Sequence, residues 1–163
     1  FIVSRILKWC LKGIRVDQKK LDILKKVADV AALAGIRGTV EKDREQFVSG
    51  FELPENRSQM VYVRPSAQDV EDSVVVTVFS PCHVFKKGLF KGITKEQAIE
   101  LLMMNEQITF ARYGMWESHD EHMIVASVDN ILDTLDPPEL RAAMWHVAIA
   151  ADAYERKYGG DDF

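Results

Sequence analysis

DSVVVTVFSPCHVF, Asp72 to Phe85, reads as the central strand of a sheet. Val74, Val75, Val76, Val78 and Phe79 are β-branched or aromatic, and such side chains fit a pleated surface better than a helix. The run does not alternate apolar with polar. With the two-residue period of a strand, Val74, Val76 and Val78 share one face, and Val75, Thr77 and Phe79 the other. A strand that is apolar on both faces requires cover on both.

The flanking segments supply the sheet and one cover. Upstream, QFVSGFEL (Gln46 to Leu53) puts Phe47, Phe51 and Leu53 on one face. QMVYVR (Gln59 to Arg64) sets Val61 and Val63 opposite Met60 and Tyr62. The turn-rich PENRS and PSAQDVED separate these runs and predict a three-stranded antiparallel meander. Downstream, Phe110 to Trp116 and Met123 to Val128 read as strands joined by the hairpin ESHDEH. Three helices complete the pattern. Asp17 is an N-cap for Gln18 to Ala34, with Leu21, Leu24, Val27 and Ala31 at helical spacing and Gly35 at its end. Thr94 and Gln97 form a capping box for Lys95 to Asn105, whose apolar stripe is Ile99, Leu102 and Met103 and whose Asn105 tolerates a left-handed end. Asp136, Pro137 and Glu139 open a long helix with a stripe of Leu140, Met144, Val147, Ala151, Tyr154 and Tyr158, stopped by Gly159-Gly160. The fold class expected is α+β: an antiparallel five-stranded sheet with helices on one face, in the order α-βββ-α-ββ-α. The covering helices are expected to be those at Lys95–Asn105 and Asp136–Tyr158.

At 163 residues, 47% apolar and 28% charged, the chain has the makeup of one soluble domain with a core of its own. Residues 17–163 form that domain and residues 1–16 an appendage. Net charge is −4, so overall charge does not advertise nucleic acid. Its distribution is uneven: residues 1–26 hold eight Lys/Arg against two Asp/Glu, and residues 117–163 hold eleven Asp/Glu against three Lys/Arg. Cys10 and Cys82 are far apart with no CxxC, which points to reduced thiols in a cytoplasmic protein. No apolar run approaches the length of a membrane span. The opening FIVSRILKWCLKGIRV is broken by Arg5, Lys8 and Lys12 and lacks a signal-peptide core.

That opening predicts a short amphipathic helix. Arg5, Lys8, Lys12 and Arg15 make one basic stripe, and Ile6, Leu7, Trp9, Cys10 and Ile14 the apolar remainder. A basic amphipathic helix can lie on an anionic membrane as a peripheral anchor. One short helix with a single Trp fits docking on its own domain or on a partner subunit better.

Residues that carry chemistry are few. Cys82, His83, His119 and His122, with Asp120 and Glu121, are the only soft-ligand or nucleophile candidates. A zinc site needs three or four converging ligands. His119 and His122 straddle a turn, and neighbours on a strand point to opposite faces, so Cys82 and His83 are expected to diverge. A Cys-His nucleophile fails on the same geometry. Asp43 with Glu45, Glu71 with Asp72 and Asp161 with Asp162 sit in turns or the tail and read as solvation. Gly88, Gly92 and Gly114 are isolated and make no phosphate cradle. Arg57, Arg64 and Arg112 with Tyr62 and Trp116 could interleave on a sheet as a base-stacking platform, but the acidic balance and the lack of an RNP-like motif argue against nucleic acid.

From Phe47 to Gly160 the chain resembles the YbjN-type bacterial proteins with the type III secretion chaperone-like fold. The carriers are LPENRSQMVYVR (Leu53 to Arg64), the strand ending in Ser80-Pro81, IELLMMN (Ile99 to Asn105) and DPPELRAAMWHVAIAADAYE (Asp136 to Glu155). These are turn, cap and core features, none of them a catalytic signature. The resemblance implies a small protein-binding chaperone or regulator, often dimeric. The functional expectation is a non-catalytic, cytoplasmic protein-binding module without cofactor, pairing with itself and with another protein. The apolar groups expected at the partner surface are Ile6, Trp9, Met60, Tyr62, Val75 and Phe79, because the meander leaves one sheet face uncovered. Symmetric self-association is the commonest way to cover such a face.

Overall fold

A computed structural model describes residues 17–159 apart from 87, 89–91 and 118–119. The elements are α1 (Gln18–Leu33), β1 (Thr39–Glu41), β2 (Gln46–Leu53), β3 (Arg57–Pro65), β4 (Val75–Lys86), α2 (Lys95–Met104), β5 (Arg112–Glu117), β6 (Glu121–Ile131) and α3 (Pro137–Tyr158). The expected amphipathic helix at residues 1–16 lies outside the described residues.

The class is α+β, with one open antiparallel sheet in the order β1-β2-β3-β4-β6-β5. The sheet has six strands, not the five expected. The additional strand is β1, only three residues long and followed directly by the charged run KDRE (Lys42 to Glu45). Three residues are too few to show a two-residue period, and a short polar strand is how a sheet edge discourages further pairing. Gly38 leads into β1 because a Cβ there would lie 2.2 Å from the Phe47 ring. The stretch that decided the fold does form the interior strand β4, between β3 and β6.

The period-two reading of β4 holds in three dimensions. Val76 and Val78 are fully buried in the core beneath the helices. Val75 and Phe79 face the other way. The core joins Phe47, Val61, Val63, Ile124 and Ala126 of the sheet to Leu24 and Val27 of α1 and to Leu140, Met144, Val147 and Ala151 of α3. Three caps formed as read: Asp17 Oδ1 accepts from Lys19 N, Thr94 and Gln97 make a reciprocal capping box, and Asp136 Oδ1 accepts from Glu139 N.

The helix layer departs from expectation. The helices that cover the sheet are α1 and α3, with α1 over β1–β3 and against α3. Helix α2 contributes Leu101 alone to the core. Asn105 is right-handed at φ −60°. Its side-chain amide pairs with the main chain of Tyr113, donating to the carbonyl at 3.2 Å and accepting from the N–H at 2.7 Å. Through it the end of α2 occupies hydrogen-bonding groups of edge strand β5, a second protected edge.

A charged clamp fastens α3 to β3. The Arg57 guanidinium donates to Asp152 and, at 3.1 Å, to Glu155, while Gln59 Nε2 donates to Glu155 at 3.0 Å. The Glu155 side chain is fully buried. A buried carboxylate persists only where guanidinium and amide donors replace its water.

Candidate functional site

Three places combine exposed apolar surface or converging polar groups. The first is the sheet face opposite the helices. The strand registers Tyr62↔Phe79, Phe79↔Ser127 and Trp116↔Met123 place these residues on one surface. Tyr62 stacks on Phe79 with centroids 5.3 Å apart, and Phe79 meets Trp116 at 4.6 Å. The Arg64 guanidinium lies 4.0 Å over Trp116 and 5.2 Å from Phe79, a cation–π contact. Of the residues expected at a partner surface, Tyr62, Val75 and Phe79 are 6–7% exposed and Met60 is 37% exposed. Burial first, and the nearby Glu41 carboxylate second, push the Tyr62 hydroxyl above its ordinary range. Ile6 and Trp9 lie outside the described residues. The arginine platform separates: Arg64 shares this face with Tyr62 and Trp116, Arg57 turns inward to the α3 clamp, and Arg112 donates to the Ile108 and Ala111 carbonyls.

The second place is α2. Ile99 is 48% exposed, Leu102 68% and Met103 63%. Spacings of three and four put them side by side on the helix. The sequence identified this stripe and gave it the wrong direction, because it faces outward. A groove of about 660 Å³ runs beside it, lined by Ile99, Glu100, Met103, Met104, Gln107 and Lys157. Glu100 accepts hydrogen bonds from Lys157 Nζ and the Tyr158 hydroxyl, the polar tether between α2 and the end of α3. Methionine side chains are polarizable and adaptable, and recur on surfaces that accept varied partners.

The third place is a cavity of about 360 Å³ beneath the end of α3, lined by His83, Phe85, Ile93, Gln97, Tyr154 and Tyr158 among others. Here the expectation that Cys82 and His83 point to opposite faces is overturned. The β4–β6 register shifts between Pro81 and His83. A bulge of this kind adds one residue and interrupts the alternation. Cys82 lies in the helix-side core, and His83 lines the cavity on the same side of the sheet. Phe85 stands between His83 at 5.9 Å and His122 at 5.6 Å, ring centre to ring centre. His122 Nε2 lies 3.6 Å from Glu117 Oε1 across the β5–β6 pair.

The bulge does not make Cys82 a nucleophile. The thiol is fully buried, and desolvation pushes it far above the ordinary thiol range. Its Sγ donates weakly to the Ser80 carbonyl, at 3.8 Å. Among the described residues no three His, Cys, Asp or Glu side chains converge as a metal site. His119, the fourth member of the expected constellation, lies outside the described residues. No helix among the described residues is long and apolar enough to cross a membrane.

Sequence reasoning named Arg64, Tyr62 and Trp116 as groups able to interleave on one sheet face, and missed the Arg57 clamp and the Glu100 tether. The first rests on two-residue periodicity in each strand, which puts Arg64 with Tyr62, and on the pairing of β5, which brings Trp116 beside them. The other two join residues 95–98 and 57–58 positions apart, which local patterning does not reveal. Set against protein-family models and curated proteins, the chain matches none.

Proposed function

We propose that this chain is a non-catalytic protein-binding module, chaperone-like or regulatory, whose recognition surface is the α2 stripe. The observation that carries the reading is the outward orientation of Ile99, Leu102 and Met103 on one helix face beside a methionine-lined groove. Single exposed apolar residues are ordinary on a protein surface, but three neighbouring ones, with Ile99 and Met103 lining a groove, are how amphipathic segments are received. The sealed Cys82 thiol supports a binding rather than a chemical role. The resemblance to YbjN-type proteins with the type III secretion chaperone-like fold agrees with it, and implies further that the chain pairs into a homodimer in a bacterial cytoplasm.

The test uses the full chain and its Leu102→Asp variant. Light scattering at micromolar concentration reads self-association, and capture from native extract reads other partners. The expected result is a dimer or a discrete captured protein that the variant loses while its urea midpoint stays unchanged. Equal behaviour of the two proteins in both measurements overturns the reading.

A further inference from the structure

The cavity beneath the end of α3 carries features that protein binding at the α2 stripe does not explain. Its volume, about 360 Å³, lies within the range of small-molecule sites. The sheet side presents His83 and Phe85, whose rings stack with centroids 5.9 Å apart and planes 29° from parallel. The helix side presents Tyr154 and Tyr158, whose rings meet at 4.8 Å. His83 belongs to this lining only because of the bulge in β4. Bulges re-aim side chains and recur beside functional sites.

Tyr154 is the group that points to a ligand. Its two tyrosine neighbours both use their hydroxyls: Tyr113 donates to the Ala150 carbonyl at 2.6 Å, and Tyr158 to Glu100. Tyr154 is only 5% exposed, yet among the described residues its hydroxyl has no hydrogen-bond partner. A hydroxyl sealed among apolar groups is costly, and protein interiors pair nearly all of them. The Tyr154 hydroxyl is not sealed, because it opens on the cavity that the residue lines. Burial raises it to about 12, so at neutral pH it is a protonated donor. Gln97, on the same lining, accepts the Thr94 N–H through Oε1, which leaves its amide nitrogen as a second donor. Both donors are neutral, and among the described residues no Lys or Arg lines the cavity. We propose that this cavity binds a small planar aromatic molecule with a neutral hydrogen-bond acceptor, such as a carboxamide or ring carbonyl, its ring between the His83–Phe85 and Tyr154–Tyr158 pairs and its acceptor on the Tyr154 hydroxyl. Aromatic pairs of this kind hold a flat ring by offset stacking and edge contacts. The site uses none of Ile99, Leu102 and Met103, so it stands or falls independently of the proposed recognition surface.

Amide chemical shifts of the full chain, titrated with benzamide, toluene and benzoate, test this. Benzamide should give saturable shifts centred on Phe85, Gln97 and Tyr154. It should bind more tightly than toluene, which has the ring without the acceptor, and than benzoate, whose acceptor is charged. Tyr154→Phe removes the donor but no protein hydrogen bond, so its urea midpoint should hold. Its affinity for benzamide should fall roughly fivefold or more, while that for toluene stays the same. Equal benzamide affinity in the parent and Tyr154→Phe overturns the proposal, because the acceptor then rests elsewhere. Tighter binding of benzoate than of benzamide overturns it in favour of an anion. So does the lack of a saturable shift at these residues with all three probes, which would leave the cavity to solvent.

Discussion

Helices α2 and α3 begin alike and end differently. Each opens with a side-chain cap, Thr94 for one and Asp136 for the other, and each carries an apolar stripe at helical spacing. Yet α3 buries ten of its 22 residues and α2 one of its ten. Caps and periodicity decide that a helix forms and where it starts. They do not decide which way its stripe faces. In α3 the stripe is long enough to cross the sheet, and the Arg57 clamp locks the final turns. In α2 three turns are held by Leu101, by the Asn105 amide and by the Glu100 tether, and none of these contacts uses the stripe.

The hardest way to break this contrast is at the clamp. Arg57→Ala leaves the buried Glu155 carboxylate without its guanidinium, and roughly 3–5 kcal/mol of stability should be lost. Urea unfolding checks it, and a loss below about 1 kcal/mol would show that water or a neighbour replaces the guanidinium at no cost.

Methionines compare the two helices directly. Met144 on α3 is fully buried, whereas Met103 on α2 is 63% exposed. Met144→Ala should cost about 3 kcal/mol through lost burial and a residual cavity, and Val76→Ala in β4 about 2 kcal/mol. Met103→Ala should stay within about 0.5 kcal/mol of the parent. Equal denaturation midpoints for the two methionine variants would erase the distinction on which the proposed recognition surface rests.

The residues behind these predictions show what the sequence could carry. Val76 and Met144 were legible as core because period two and period 3.6 each repeated over a long run. Strand β1 was not, because three residues carry no period. The bulge at Cys82 was hidden because a bulge is an added residue in one strand relative to its partner, a property of the pair. The direction of α2 was hidden for the same reason: which side of a helix is inside depends on what lies beside it. The place of His83 beside Tyr154 and Tyr158 depended on the bulge.

Capping sharpens the comparison at a smaller scale. Both caps accept a backbone N–H, and removing such an acceptor costs about 1 kcal/mol of helix stability. Because α3 is continuous with the core, Asp136→Ala should lower the global midpoint by that amount. Thr94→Ala should fray the first turn of α2, visible in amide hydrogen exchange at residues 96–98, with little movement of the global midpoint. A full global loss from Thr94→Ala would mean that α2 folds as one unit with the core.

The smallest effect expected is a pH-dependent release of α2 through its tether. The hydrogen bond from Lys157 first, and that from Tyr158 second, hold the Glu100 carboxylate below its ordinary range. A carboxylate depressed in the folded state contributes stability above its unfolded value, about 4.3, and loses that contribution as pH falls through the lowered folded value. Tyr158 sets the opposite limit. Burial, then the Glu100 hydrogen bond, raise its hydroxyl to about 12. A raised group contributes fully below its unfolded value, about 10, and its contribution fades as pH rises through the folded one. The tether therefore operates between these limits and fails on either side. On the acid side, exchange of α2 amides, corrected for intrinsic rate, should accelerate relative to α3 below about pH 4, before the global transition. Glu100→Gln keeps an acceptor for the Tyr158 hydroxyl and removes the charge, so it should abolish the acid dependence and leave the global midpoint in place. Persistence of that dependence in the variant would assign it to another carboxylate and leave Leu101 and Asn105 as the anchors of α2.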